Sequence, residues 1–137
     1  MTFKQMGLLY IMTLAVFFLI DMVWLGAVAK GFYRKHLGPF LTPKVVWPAV
    51  VLFYLLFIAG LVVFVVRPAL AGGEPARALA LGALFGLIAY ATYDLTNLAT
   101  LKGWPLAVTV VDLVWGSVLG GAVSFVSALI GQRLIGK

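Results

Sequence analysis

The chain has 137 residues, of which 64% are hydrophobic and only 10% are charged. A soluble domain has roughly a quarter of its residues charged, so this composition excludes a water-soluble globule and indicates a protein whose solvent is lipid. The net charge of +6 comes from basic residues that fall between apolar runs, as is typical near lipid head groups, and nucleic acid is not expected as a partner. Because cysteine is absent, disulfides and thiolate metal sites are excluded.

Four apolar segments are long enough to cross the hydrocarbon layer, which a helix spans with about 20 residues. In chain order they are Gly7–Ala29, Val45–Val66, Ala78–Leu101 and Pro105–Ile130. Only Lys102–Trp104 connects the last two, so these spans are expected to form an antiparallel helical hairpin. The connector Arg67–Arg77 is rich in proline and glycine and is expected to be a flexible turn. The sequence therefore predicts an all-α, integral membrane four-helix bundle that forms one transmembrane domain over residues 1–137.

The two faces of the predicted bundle, which we call side A (both termini) and side B, carry equal numbers of basic residues. Five Lys or Arg residues fall on each side, so the positive-inside rule does not select an orientation.

Three aspartates lie inside the predicted spans. Asp21, Asp94 and Asp112 are each seven or eight residues from the side B end of their span, which places all three roughly 10–12 Å below that interface. A carboxylate in hydrocarbon costs roughly 3 kcal/mol even on lenient scales, so each is expected to face the bundle interior, a partner or water. Crowded like charges resist simultaneous ionisation, so we expect a proton, a cation or a basic ligand in this layer.

Small residues recur every four positions on the last two spans. The two stripes are Gly82, Gly86, Tyr90 and Asp94 on the third span and Asp112, Gly116, Gly120 and Ser124 on the fourth. Small residues at this spacing allow transmembrane helices to approach closely. If the stripes face each other, Asp94 and Asp112 converge.

Two aspartates share a local pattern with a tryptophan three residues later. Ile20–Trp24 and Val111–Trp115 both read apolar-Asp-apolar-Val-Trp, and an i, i+3 spacing puts Trp24 and Trp115 on the same face as Asp21 and Asp112. An inverted repeat and a chance resemblance both account for this pattern.

Three motifs carry a family resemblance. The stretch YDLTNLATLKGWP at Tyr93–Pro105, with IDMVWLG at Ile20–Gly26 and VDLVWGS at Val111–Ser117, resembles a family of small bacterial four-span membrane proteins classed as a domain of unknown function. The resemblance implies a multi-pass protein of the bacterial inner (cytoplasmic) membrane. It supplies no activity, cofactor or catalytic residue.

The leading functional hypothesis is a buried acidic pocket that opens toward side B and binds or transports a small molecule, an ion or a proton. The candidate ligand-binding residues are Asp21, Trp24, Tyr90, Tyr93, Asp94, Asn97, Asp112 and Trp115. Two alternatives remain open: a membrane-embedded enzyme that acts on a lipid or another hydrophobic substrate, with Asp94 or Asp112 as general acid or base, and a non-catalytic assembly factor. Structural hydrogen bonding alone is a further explanation of the aspartates. No cofactor or metal is expected, and the expected partners are the lipid bilayer and a homodimer or a larger membrane complex.

Overall fold

The computed structural model describes residues 1–136, and these form helices and turns with no strand. Four helices are long and apolar enough to cross a membrane: α1 (Phe3–Val28), α3 (Trp47–Gly72), α4 (Pro75–Thr100) and α5 (Leu106–Leu134). A short helix, α2 (Lys30–Leu37), connects α1 to α3. The predicted all-α transmembrane bundle is therefore confirmed.

The second connector differs from its prediction. Instead of a flexible turn over Arg67–Arg77, α3 continues as a helix through Pro68 to Gly72. A π-helical turn at Val62–Val66 ends two residues before Pro68, and such a widened turn makes room for a ring that would otherwise clash with the preceding turn. The helix then ends at Gly73, whose φ of 67° is in the left-handed region that glycine adopts without strain.

Helices α4 and α5 pack with their backbones in direct contact. An added methyl group at Gly86 would lie 2.8 Å from the carbonyl carbon of Gly116 and would also clash with its carbonyl oxygen. A methyl group at Gly120 would clash with the carbonyl oxygen of Gly82. The two predicted stripes of small residues therefore do face each other.

The side A half of the bundle is closed by an apolar core. Side chains from α1, α3 and α5 meet there, with no solvent exposure at Leu9, Phe17, Ile58, Leu61, Leu119 and Val123. Close packing of this kind leaves little free space between the helices.

On side B, by contrast, α3 separates from the rest of the bundle. Its first turns expose 64% of Trp47, 47% of Phe53 and 63% of Leu56. The helix thus joins the bundle through its later turns, and a gap remains beside its first turns.

Helix α2 covers the side B end of the bundle. Its Leu37 is buried against Trp104 and Val108, whereas Arg34 and Lys35 are exposed. The helix is therefore amphipathic, with one face on the bundle and a basic face directed away from it.

Candidate functional site

The gap beside α3 is a cleft of about 910 Å³. All four spans and α2 contribute to its walls, which are mostly aromatic and aliphatic. The lining residues are Asp21, Trp24, Leu25, Tyr33, Leu37, Ala49, Val50, Phe53, Tyr54, Ala89, Tyr90, Thr92, Tyr93, Asp112 and Trp115. A large apolar pocket with a few convergent polar groups is the usual form of a small-molecule site.

The first acid of the cleft, Asp21, is buried but weakly paired. The hydroxyl of Tyr54 donates to its Oδ2 over 3.5 Å, which is long for a hydrogen bond. The indole of Trp115 approaches the same carboxyl group without reaching hydrogen-bond geometry. Asp21 therefore keeps acceptor capacity for another donor.

The second acid, Asp112, receives a hydrogen bond from α2. The hydroxyl of Tyr33 donates to Asp112 Oδ1. Burial, followed by the bond with Asp112, raises the pKa of the Tyr33 phenol above its ordinary value of 10.0, so Tyr33 is a neutral donor at physiological pH. This contact ties the connector helix to the acidic layer.

Sequence reasoning missed Tyr33 because the first connector carried no prediction of a helix that folds back onto the bundle. The spacing of Tyr33 and Leu37 was an available signal, because residues four apart share one face of a helix. Tyr54 was missed as well, and nothing in its apolar surroundings distinguishes it in the sequence.

The third acid, Asp94, lies behind the wall of the cleft. It has no solvent exposure, and both its carboxyl oxygens are buried without a hydrogen-bond partner. Its side chain is adjacent to that of Asp112, as the facing stripes predict. A buried carboxylate with no donor is costly, so we expect a protonated Asp94 that donates to the adjacent Asp112.

The two tryptophans of the shared motif stack on each other. The rings of Trp24 and Trp115 have centroids 4.4 Å apart and an interplanar angle of 10°. Both indole nitrogens are buried and have no hydrogen-bond partner. A π-helical turn begins at Trp24, a feature that is frequent at functional sites.

The remaining predicted site residues divide into two groups. Tyr90 and Tyr93 line the cleft, with Tyr93 56% exposed. Asp94 and Asn97 are not among the residues that line the cleft, and their part in a ligand site stays a prediction. Helical geometry places them outside the lining, since Asp94 points into the α4–α5 contact and Asn97 lies almost one turn further toward side B, beside Tyr93.

Within residues 1–136, no group of three or more His, Cys, Asp or Glu side chains is placed to hold a metal ion. The polar side chains of the cleft are carboxyl, phenol and indole groups and the hydroxyl of Thr92.

Fold and cleft together define a multi-pass α-helical membrane protein with two buried aspartates, Asp21 and Asp112, in an aromatic cleft. The family described as "Predicted membrane protein (DUF2177)" matches residues 6–129, and the chain belongs to this family, whose function is unknown. The resemblance noted from the sequence is thus confirmed at the level of the family. No curated protein and no solved structure matches the chain.

Proposed function

We propose that this protein binds a small organic cation in its cleft. The observation that carries the proposal is the pairing of two carboxyl groups, Asp21 and Asp112, with aromatic walls in a space of about 910 Å³. Carboxylates attract a cationic group, and tryptophan and tyrosine faces add cation–π attraction once water is excluded.

The geometry favours binding over passage across the membrane by one copy of the chain. The cleft lies in the side B half, and the side A half is filled by buried side chains such as Phe17 and Leu61. A transport role requires a second copy or a conformational change that opens this core, so we propose a homodimer or a larger complex only for that role.

Tetraphenylphosphonium is a suitable probe for the proposed site, because it combines a positive charge with aromatic surface. Its binding to purified protein in lipid nanodiscs can be followed by tryptophan fluorescence, since Trp24 and Trp115 line the cleft. The uncharged triphenylphosphine oxide serves as the control probe. We expect saturable quenching with the cation and little with the neutral compound.

Charge-neutralising variants test the two carboxyl groups directly. Asp21→Asn and Asp112→Asn are each expected to weaken tetraphenylphosphonium binding about tenfold or more, since a buried charge pair is lost. Glu74→Gln is the matched control, because Glu74 is exposed and lies outside the spans. Equal binding by all three variants would contradict the proposal, as would equal binding of the two probes.

One observation supports a second candidate, an enzyme that acts on a membrane lipid. Asp94 and Asp112 form an adjacent carboxyl pair, of which Asp112 reaches the cleft, and such a pair can supply a general acid and a general base. Mass spectrometry of phospholipids after incubation with the protein tests this role. New lipid species that disappear with Asp112→Asn would support it, and an unchanged lipid profile would exclude these phospholipids as substrates.

We also propose the cytoplasmic membrane of a bacterium as the location, supported by the resemblance carried by the motif at Tyr93–Pro105. Fractionation of the inner and outer membranes of an expressing bacterium tests this.

A further inference from the structure

We propose that the ligand of the cleft is a single-chain amphiphile with a cationic head, and that it enters sideways from the bilayer. This inference rests on the proposed cation site and adds the access route and the apolar tail. It follows from which directions around the cleft are closed and which one is open.

Access from side A is closed by the core. Phe57 and Ile58, one turn after Tyr54 on α3, are 5% and 0% exposed, and the Phe57 ring packs against those of Phe17 and Phe85. No water-filled route from that side reaches the acids through such packing.

Access from the aqueous phase on side B is covered by an apolar cap. Leu37, Trp104 and Val108 form a buried cluster there, and Phe40 packs on Trp104 with ring centroids 5.6 Å apart. A hydrated cation that approaches from water on this side would have to displace these side chains.

The side of the cleft that faces the bilayer is open. Phe53 on α3 and Thr92 and Tyr93 on α4 line the cleft and are exposed at the same time, so they mark its mouth. Because α3 and α4 are membrane spans, this mouth opens into the acyl chains of the bilayer and not into water.

The polarity of the walls orients the ligand. Asp21 and Asp112 are 5% and 6% exposed and lie at the inner wall, whereas Val50 and Phe53 provide apolar surface toward the mouth. A cationic head therefore fits against the carboxyl groups, roughly 10–12 Å below the side B interface, and an alkyl tail extends along α3 toward the lipid.

An alkyltrimethylammonium series tests the tail with the head group held constant. Binding of tetramethylammonium, hexyltrimethylammonium and decyltrimethylammonium is measured in zwitterionic nanodiscs, with free concentrations taken in the aqueous phase and the signal of protein-free nanodiscs subtracted. We expect affinity to rise about tenfold for each pair of methylenes that leaves water for the cleft. Equal affinity along the series would overturn the amphiphile while leaving the cation site standing, and no binding by any member would overturn both.

Three variants test the route by which the ligand enters the cleft. Thr92→Trp narrows the mouth and is expected to slow association of decyltrimethylammonium about tenfold, whereas Leu95→Trp, an exposed position on the same helix outside the lining, leaves it unchanged. Phe40→Ala loosens the side B cap at a residue outside the lining and is expected to leave association unchanged. Faster association with Phe40→Ala would overturn lateral entry, as would no effect of Thr92→Trp.

Discussion

At the scale of single residues, the surroundings of Asp112 decide how the acidic layer is stabilised. The Tyr33 hydroxyl and the Asp94 carboxyl group lie beside its carboxyl group. Neither is a cation, so stabilisation of a charge on Asp112 depends on neutral donors. The hydroxyl of Tyr33 and the expected proton on Asp94 therefore matter more for this charge than the number of acids in the layer.

Asp94→Asn and Asp94→Leu test whether Asp94 is a protonated hydrogen-bond donor to Asp112 or an ionised carboxylate. The amide of asparagine still donates toward Asp112, so Asp94→Asn is expected to keep the thermal stability of the wild type between pH 5 and 8. Leucine leaves Asp112 without this donor, so Asp94→Leu is expected to lower the free energy of unfolding by about 1–3 kcal/mol. Thermal unfolding in detergent measures the stability of both variants against the wild type. A large stabilisation by asparagine would instead show that Asp94 is ionised and repelled by Asp112.

Tyr33→Phe removes the other hydrogen-bond donor to Asp112. Its effect on the free energy of unfolding is expected to depend on pH in the alkaline range. We expect the free energy of unfolding to fall by about 1–3 kcal/mol at neutral pH, because the buried carboxyl group of Asp112 loses its donor. The folded-state pKa of Tyr33 lies above its ordinary value of 10.0, so its contribution to stability is complete below pH 10 and is lost as the pH rises through the higher folded value.

The check on Tyr33 is the free energy of unfolding from pH 7 to pH 12, where the variant should lose less stability above pH 10 than the wild type. Tyr10→Phe is the matched control, since it also loses one hydroxyl bond, to the carbonyl oxygen of Leu55. Parallel curves for Tyr33→Phe and the wild type would show that Tyr33 does not contribute to the alkaline loss.

At the scale of elements, the contact between α4 and α5 places Asp94 beside Asp112. Gly86 and Gly116 bring the two backbones together, and the short connector contains Gly103 with a φ of 77°, which glycine adopts freely. The hydroxyl of Thr109 on α5 donates to the backbone carbonyl of Asp94 over 3.4 Å. The geometry of the acid pair therefore depends on how closely these helices approach.

Gly86→Ala is expected to force the helices apart, because the added methyl group meets the backbone of Gly116. The free energy of unfolding should fall by about 1–3 kcal/mol, as it does when a protein core is overpacked. Gly7→Ala on α1 is the control, since its methyl group would meet nothing within 4 Å, and it should be neutral or slightly stabilising. Thermal unfolding of both variants measures the difference, and similar melting temperatures would contradict close packing of α4 on α5.

At the scale of the whole molecule, the bundle has a buried apolar core on side A, with a smaller groove of about 240 Å³ between α1 and α3, and the larger cleft on side B. Filling the cleft should therefore remove ligand binding without weakening the core. Ala89 lines the cleft and is only half-buried, so Ala89→Trp is expected to abolish tetraphenylphosphonium binding with little change in melting temperature. Leu84→Trp, at a position 51% exposed outside the lining, should retain binding. Retained binding by Ala89→Trp would place the cation elsewhere.

Much of this arrangement was predictable because it depends on local patterns. Four apolar runs predict four spans, and the four-residue spacing of glycines predicts the α4–α5 contact and, through it, the meeting of Asp94 and Asp112. The positions of Tyr33 and Asn97 were not predictable in this way. Tyr33 reaches Asp112 only because α2 folds back over the bundle, and Asn97 misses the cleft because of the rotation of α4.

The amino-acid sequence by itself determined the solvent, the number of spans and the depth of the acids, since these follow from hydrophobicity and a fixed rise per residue. Tertiary structure alone decided that α3 separates on side B, that a cleft forms there, and that Asp21 and Asp112 line it while Asp94 does not. The physical reason is that nearly every face of these spans is apolar. Lipid and protein interior are similar solvents for such faces, so packing against specific neighbours determines which face turns inward.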